Sequence, residues 1–199
     1  FRTFNVYNSF AALVGSHNCQ FIHKWNEKAA MTAFDEKRAR NETLFGNAYL
    51  IANSLATGFP KHQFYIRLLT QVWEKRNYLL AEITGYNSIE HTVKLFDKTF
   101  KGYGGFLGYE FAMDLQMVGI LQNPVDQYTW GNPGPGARRG LNFIFGRERN
   151  HRQNIQKSLT EMRWLLDEST YFLEPHIPEG FDMRCIENGL CETSKYASI

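Results

Sequence analysis

The stretch KHQFYIRLLTQVWEKRNYLLAEIT, residues 61–84, decides the fold class. Its apolar residues Tyr65, Leu68, Leu69, Val72, Trp73, Leu80 and Ile83 recur at helical spacings of three and four. Pro60 stands where a first-turn proline belongs, and Gly85 supplies a stop. The same period predicts helices over Lys24–Arg40, Leu44–Leu55, Ser88–Lys98, Gly105–Leu121, Ala137–Phe145 and Arg149–Asp167, with a shorter one over Asp182–Thr193. Ser88 is read as the N-cap of its helix. No segment alternates as a strand would, and the β-like run Tyr171–Leu173 is too isolated to build a sheet. The expectation is an all-α fold.

A chain of 199 residues fits one domain and buries a real core. With 43% hydrophobic and 15% aromatic residues, a disordered or low-complexity protein is excluded. The expected organisation is one helical domain over residues 1–199. Residues 175–199 form a docked C-terminal segment, set off by Pro175 and Pro178. The cysteines Cys19, Cys185 and Cys191 are odd in number and irregularly spaced, which argues against a disulfide framework and for a reducing compartment. No zinc spacing, no GxxxxGK[ST] motif, no signal peptide and no apolar run of membrane-spanning length occur. Neither a cofactor nor a membrane partner is therefore expected. Phe1, rather than a methionine, opens the chain, as expected of a trimmed sequence.

The most informative turn is Asn132-Pro133-Gly134-Pro135-Gly136-Ala137-Arg138-Arg139-Gly140. Its glycines permit positive φ and close approach of another backbone, while its prolines stiffen the loop. A turn of this kind opening a helix presents unpaired N–H groups beside the positive end of the helix dipole, which is an anion site. Arg138 and Arg139 add bidentate donors suited to phosphate. The competing reading is a tight helix–helix connection with two solvated arginines. Seven Lys/Arg against two acids between Arg138 and Arg163 favour the phosphate reading, because the net charge of the whole chain is only +2. Locally, the turn resembles the hairpin of the helix-hairpin-helix DNA glycosylases, which grips the DNA backbone.

Asp114 lies in the otherwise apolar run Gly105–Leu115, with Glu110 four residues earlier on the same helical face. A carboxylate there must be paired or put to use. A second polar cluster holds Asp182, Arg184, Glu187, Cys191, Glu192, Lys195 and Tyr196, and its competing reading is a solvated C-terminal helix. Arg2 and Asn5 are interleaved with aromatics at the start. No histidine near Cys191 in sequence is placed to activate it as a nucleophile.

Five segments, in order, carry a wider resemblance: Phe1-Arg2-Thr3-Phe4-Asn5, Phe45 to Tyr49, Gly108-Tyr109-Glu110 with Asp114-Leu115, Trp130 to Gly140, and Ile186 to Glu192 with Lys195-Tyr196. Together they resemble the α-glutamyl/putrescinyl thymine pyrophosphorylases, which share their helical domain with the phage-type 5-hydroxymethyluracil DNA kinases. The resemblance implies a glycosylase-like helical fold and double-stranded DNA with a modified thymine as substrate. It also implies a small amine or amino acid that displaces pyrophosphate from the base, in the cytoplasm of a phage-infected bacterium. Asp114 is then the first choice of general base, with Glu187 or Glu192 second. Substrate or DNA contacts fall to Arg2, Asn5, Tyr109, Trp130, Asn132, Gly134, Gly136, Arg138, Arg139, Gly140, Lys195 and Tyr196. The sequence departs from the family pattern at Glu110, where glutamine is common, and at Glu192-Thr193-Ser194-Lys195, where a phenylalanine-aspartate pair is expected before the lysine.

Overall fold

Polar caps and apolar stripes set the helices in the computed structural model, which describes residues 6–15, 24–46, 58–100, 103 and 105–197. In chain order they are α1 (Tyr7–Gly15), α2 (Glu27–Ala39), α3 (Lys61–Glu74), α4 (Arg76–Tyr86), α5 (Ile89–Thr99), α6 (Phe106–Met117), α7 (Pro135–Ile144), α8 (Ile155–Leu173) and α9 (Met183–Tyr196). Among the described residues there is no strand, as the periodicity predicts. No described helix is long and apolar enough to cross a membrane. Asn26, Ser88, Asn154 and Asp182 open α2, α5, α8 and α9, each accepting a hydrogen bond from a backbone N–H in the first turn.

Several boundaries differ from expectation, each for a local reason. The long helix expected over 61–84 is two helices, broken at Lys75. There the Arg76 guanidinium stacks on the Trp73 ring and donates to the Trp73 carbonyl at 2.7 Å, inserting a side chain into the helical hydrogen-bond ladder. Gly85 does not stop α4, which runs on to Tyr86; Asn87 follows with φ 46°, taking the left-handed cap position. Leu80, counted on the apolar stripe, is exposed. Arg149 lies outside α8, which starts six residues later behind its Asn154 cap and absorbs Tyr171–Leu173 as its last turn. The helix α1 was not anticipated. The helix expected over Leu44–Leu55 falls mostly outside the described residues, as do Arg2 and Asn5.

The chain divides into two compact units, Phe1–Ala81 and Glu82–Ile199. In the first, α2 packs against α1 and α3 around buried Leu13, Ala30, Phe34, Tyr65, Ile66 and Leu68. Polar ties surround that core: Trp25 Nε1 donates to Thr70 Oγ1 at 2.7 Å, buried His62 meets Asp35 at 2.8 Å, and buried Lys37 pairs with Glu42.

In the second unit, α5 packs on α6 through a group of aromatic rings, with Phe96 and Phe111 4.6 Å apart. Around α7, α8 and α9 a separate core forms from Ala137, Leu141, Leu159, Met162, Leu166, Met183, Ile186 and Leu190, with Trp130, Leu165 and Phe181 at its margin. Each large apolar side chain buried there contributes about 1.5–3 kcal/mol of transfer free energy. This second core sets the glycine- and proline-rich turn of residues 132–140 against Glu187 of α9.

Candidate functional site

The turn enters α7 with Gly134 as N-cap, extended at φ −66° and ψ 178°, and Pro135 as the first helical residue. None of its glycines has positive φ, so that half of the expectation is corrected. Close approach is the physical reason for two of them. A methyl group at Gly140 would overlap the Leu190 carbonyl oxygen and lie 2.8 Å from its carbon, and one at Gly136 would lie 2.6 Å from Cys191 Sγ. The backbone that approaches these glycines is therefore α9, one turn after another along the same face of α7.

That docking brings Glu187 of α9 to the start of α7. Its carboxylate lies beside the Gly134 N–H, at a helix start where a glycine offers no side-chain cap. The group at this helix start is thus a carboxyl of the protein itself. Glu187 is only 5% exposed. Burial pushes its carboxyl up to about 7, the Gly134 N–H opposes that shift, and the charge of Glu110 on α6 adds to it.

Tyr109, one residue before Glu110, completes the cluster. Its ring is buried edge-on to Trp130 at 5.8 Å, and its hydroxyl is buried without a hydrogen-bond partner. Burial, and then the charges of Glu187, Asp182 and Glu110, push the phenol far above its ordinary range, so it stays protonated as a donor. The Trp130 backbone N–H donates to the Asp126 backbone carbonyl at 2.8 Å; Asn132 follows half-buried, and the Pro133 carbonyl accepts from Arg138 Nε at 2.9 Å. Burial and Glu187 also push the Cys191 thiol up, which keeps it a thiol and agrees with its dismissal as a nucleophile.

The remaining candidates are dispersed. Asp114 is half-buried one turn beyond Glu110 on α6. Glu192 is exposed on α9 and pairs with Lys195 at 2.5 Å; Tyr196 is exposed as well. Arg138 is exposed, whereas Arg139 is half-buried beside Phe143. The polar cluster at the C-terminus thus splits, with Glu187 facing inward and Glu192 outward. A signal for this lies in the spacing: Met183, Ile186 and Leu190 form the buried stripe of α9, and Glu187 falls on it.

Sequence reasoning missed a network built on Asn142 of α7. Its buried amide donates to the carbonyls of Arg149 and His151 at 3.1 and 3.0 Å and accepts from Arg147 Nε at 3.0 Å. Arg147 in turn grips Glu161 of α8 through two bonds of 2.5 and 2.8 Å, and Gln153 donates to the same carboxylate at 2.8 Å. The Arg147 hydrogen bonds hold the Glu161 carboxyl below its usual range. Two of the seven basic residues counted in this stretch are thus fixed in place around α7, Arg147 by its side chain and Arg149 by its backbone. No group of three or more His, Cys, Asp or Glu among the described residues is arranged to hold a metal ion.

An all-helical domain with a glycine-packed helix pair, a buried carboxyl cluster and an arginine-rich flank is the class that fold and site define. Over its full length, residues 1–199, the chain matches the family described as the 5-hmdU DNA kinase helical domain, and it belongs to that family. It is 29% identical over 195 residues to the 5-hmdU DNA kinase of Bacillus phage SP10; the match takes in 88% of this chain and 29% of that protein. The chain therefore spans about three-tenths of the length of the curated relative it matches. No solved structure matches it.

Proposed function

We propose that this chain is the helical domain of an enzyme that modifies thymine in DNA, and that it transfers an amine onto an activated base. The substrate is double-stranded DNA carrying 5-pyrophosphoryloxymethyluracil, with the base drawn out of the stack to reach the protein. A new bond forms between the amine nitrogen and the exocyclic methylene carbon. The carbon–oxygen bond to pyrophosphate breaks, the electron pair leaves with pyrophosphate, and the proton released by the amine passes to a carboxylate. A single observation carries this reading: Glu187 is a carboxyl pushed up to about 7 beside a protonated Tyr109. A base of that strength takes up a proton near neutral pH and gives it back. Glu187 therefore moves ahead of Asp114 as the proton acceptor, and Asp114 is the second choice. Arginines of the turn and of the stretch behind it match the charge of the DNA and of the leaving pyrophosphate.

A second reading makes the chain a DNA-recognition module without chemistry of its own. It is favoured by the match to three-tenths of a protein named as a kinase.

Incubation of the chain with an oligonucleotide bearing 5-pyrophosphoryloxymethyluracil and a pool of amino acids and polyamines, followed by mass spectrometry of the nucleosides, separates these. An amine adduct is the expected result, reduced at least about a hundredfold by Glu187→Gln. Loss of turnover in Asp114→Asn with activity kept in Glu187→Gln would return the base to Asp114. DNA bound but unchanged with every amine leaves the recognition module, and an abasic site means base excision.

A further inference from the structure

A pocket of about 100 Å³ lies beside α7, lined by Arg139, Phe143, Arg147, Arg149, Ser194 and Ala197. It belongs wholly to the second unit and is separate from the Glu187 cluster, none of whose members lines it. We infer that this pocket is a phosphoryl-binding site, with Arg139 as the residue that grips the ligand.

Three observations carry the assignment. Arg139 Nε is buried and has no hydrogen-bond partner in the protein. A buried guanidinium N–H left unmade costs about 1–3 kcal/mol, so the Arg139 Nε–H calls for an acceptor from outside the protein, which an anion in the pocket supplies. Next, the charge is cationic in excess. Arg147 is matched by Glu161 through a bidentate pair, whereas Arg139 and Arg149 contribute two further positive charges and no acid lines the pocket. Finally, the walls are rigid. The Asn142 amide fixes the Arg149 and His151 carbonyls, and Arg147 is tied to both Asn142 and Glu161. A pocket set in this way meets an anion without ordering its own loop.

Size and chemistry narrow the ligand. Sites that enclose a whole cofactor or drug-sized molecule run to roughly 300–1,000 Å³, so this pocket takes a group rather than a molecule. Guanidinium forks match the oxygens of a phosphate, and Phe143, exposed at the edge, offers an aromatic face to whatever carries that phosphate. Two sources share this chemistry: a phosphodiester of the DNA backbone and free pyrophosphate. The inference relies on the function proposed above only for naming these sources. Its test reads binding and not turnover, so either can fail alone.

The full chain is titrated separately with inorganic pyrophosphate and with an unmodified duplex oligonucleotide, at several salt concentrations. Arg139→Gln is expected to weaken binding about tenfold or more, and Arg149→Gln several-fold. Lys98→Gln, the same change of charge at an exposed position of α5 outside the basic stretch, stays within about twofold. An Arg139-dependent loss for the duplex, with a salt slope lower by about one, identifies the backbone diester. An equal loss for pyrophosphate alone identifies the free anion. If Arg139→Gln does not fold, Arg149→Gln decides by the same criteria. The assignment is overturned if neither ligand binds the native chain, if the two arginine variants bind like the native chain, or if Lys98→Gln loses as much as they do.

Discussion

Two helices in the second unit, α5 and α7, begin on a carboxylate delivered from far along the chain, and they use it differently. At α5 the carboxylate is Asp126, half-buried, which accepts from the Ile89 and Glu90 N–H groups at 2.8 and 2.9 Å and from the Ser88 hydroxyl at 2.8 Å. Both of its oxygens are engaged in closing the helix start, by three donors in all. At α7 the carboxylate is Glu187, almost fully buried, which lies beside the Gly134 N–H and whose neighbours include a second carboxylate and a phenol. Here the same device leaves the charge poorly compensated, and the carboxyl holds its proton up to about neutral pH. A helix start becomes chemically interesting when its cap is buried and under-served, and of these two helices α7 has that arrangement.

The α7 side can be broken at its packing. Gly140→Ala places a methyl group against the Leu190 backbone, which cannot rotate aside, so α9 must shift and carry Glu187 off the Gly134 N–H. The expected loss is about 3 kcal/mol or more, the largest effect proposed for a single substitution, read by denaturant unfolding of the full chain. Gly136→Ala is the milder relative, since it meets the Cys191 thiol, and Cys191→Ala should recover much of its cost. A Gly140→Ala chain as stable as the native one would mean that the two helices do not sit this close.

Sharpening the comparison requires the titration of Glu187 itself. Its folded value of about 7 lies above the unfolded value of about 4.3, so the folded chain binds the extra proton between them. That contribution to stability is fully present below about pH 4.3 and is lost as pH rises through about 7. The expected loss is roughly 2–3 kcal/mol between pH 5 and pH 8. Glu187→Gln removes it, so the variant gains on the native chain as pH rises. Parallel pH–stability curves for the two proteins would remove Glu187 as the buried titrating group.

How much of this was legible follows from how far each interaction reaches. Ser88 was readable as a cap because its partner, the His91 N–H, lies three residues on. Asp126 was not, because its partners lie 36 to 38 residues away. The Gly136 and Gly140 pair announced a close approach, yet nothing local said that α9 would be the element approaching. For Glu187, the stripe of Met183, Ile186 and Leu190 was visible, but its burial depended on which helix covered that stripe. Asp114 drew attention as an acid in an apolar run, a local property, whereas the raised carboxyl, Glu187, owes its shift to burial and to Glu110, contacts that only the packing of α9 creates. The Arg147–Glu161 pair had to be counted as charge on both sides, since the loop between α7 and α8 folds on side-chain bonds with no periodicity to reveal them.

The α5 side gives the smallest effect and the control. Asp126→Ala deletes acceptors for two backbone N–H groups and one hydroxyl, while Ser88 can still accept from the His91 N–H. Caps of this kind contribute about 0.5–2 kcal/mol, and the charge-assisted bonds place Asp126 at the upper end of that range. The Asp126 site is half-buried, so water reaches the freed donors and limits the cost. Amide hydrogen exchange should show Ile89 and Glu90 opening faster while the first turn of α7 is unaffected. If the α7 amides loosen by as much, the two helix starts act as one coupled unit, and the contrast between a closing cap and a titrating one fails.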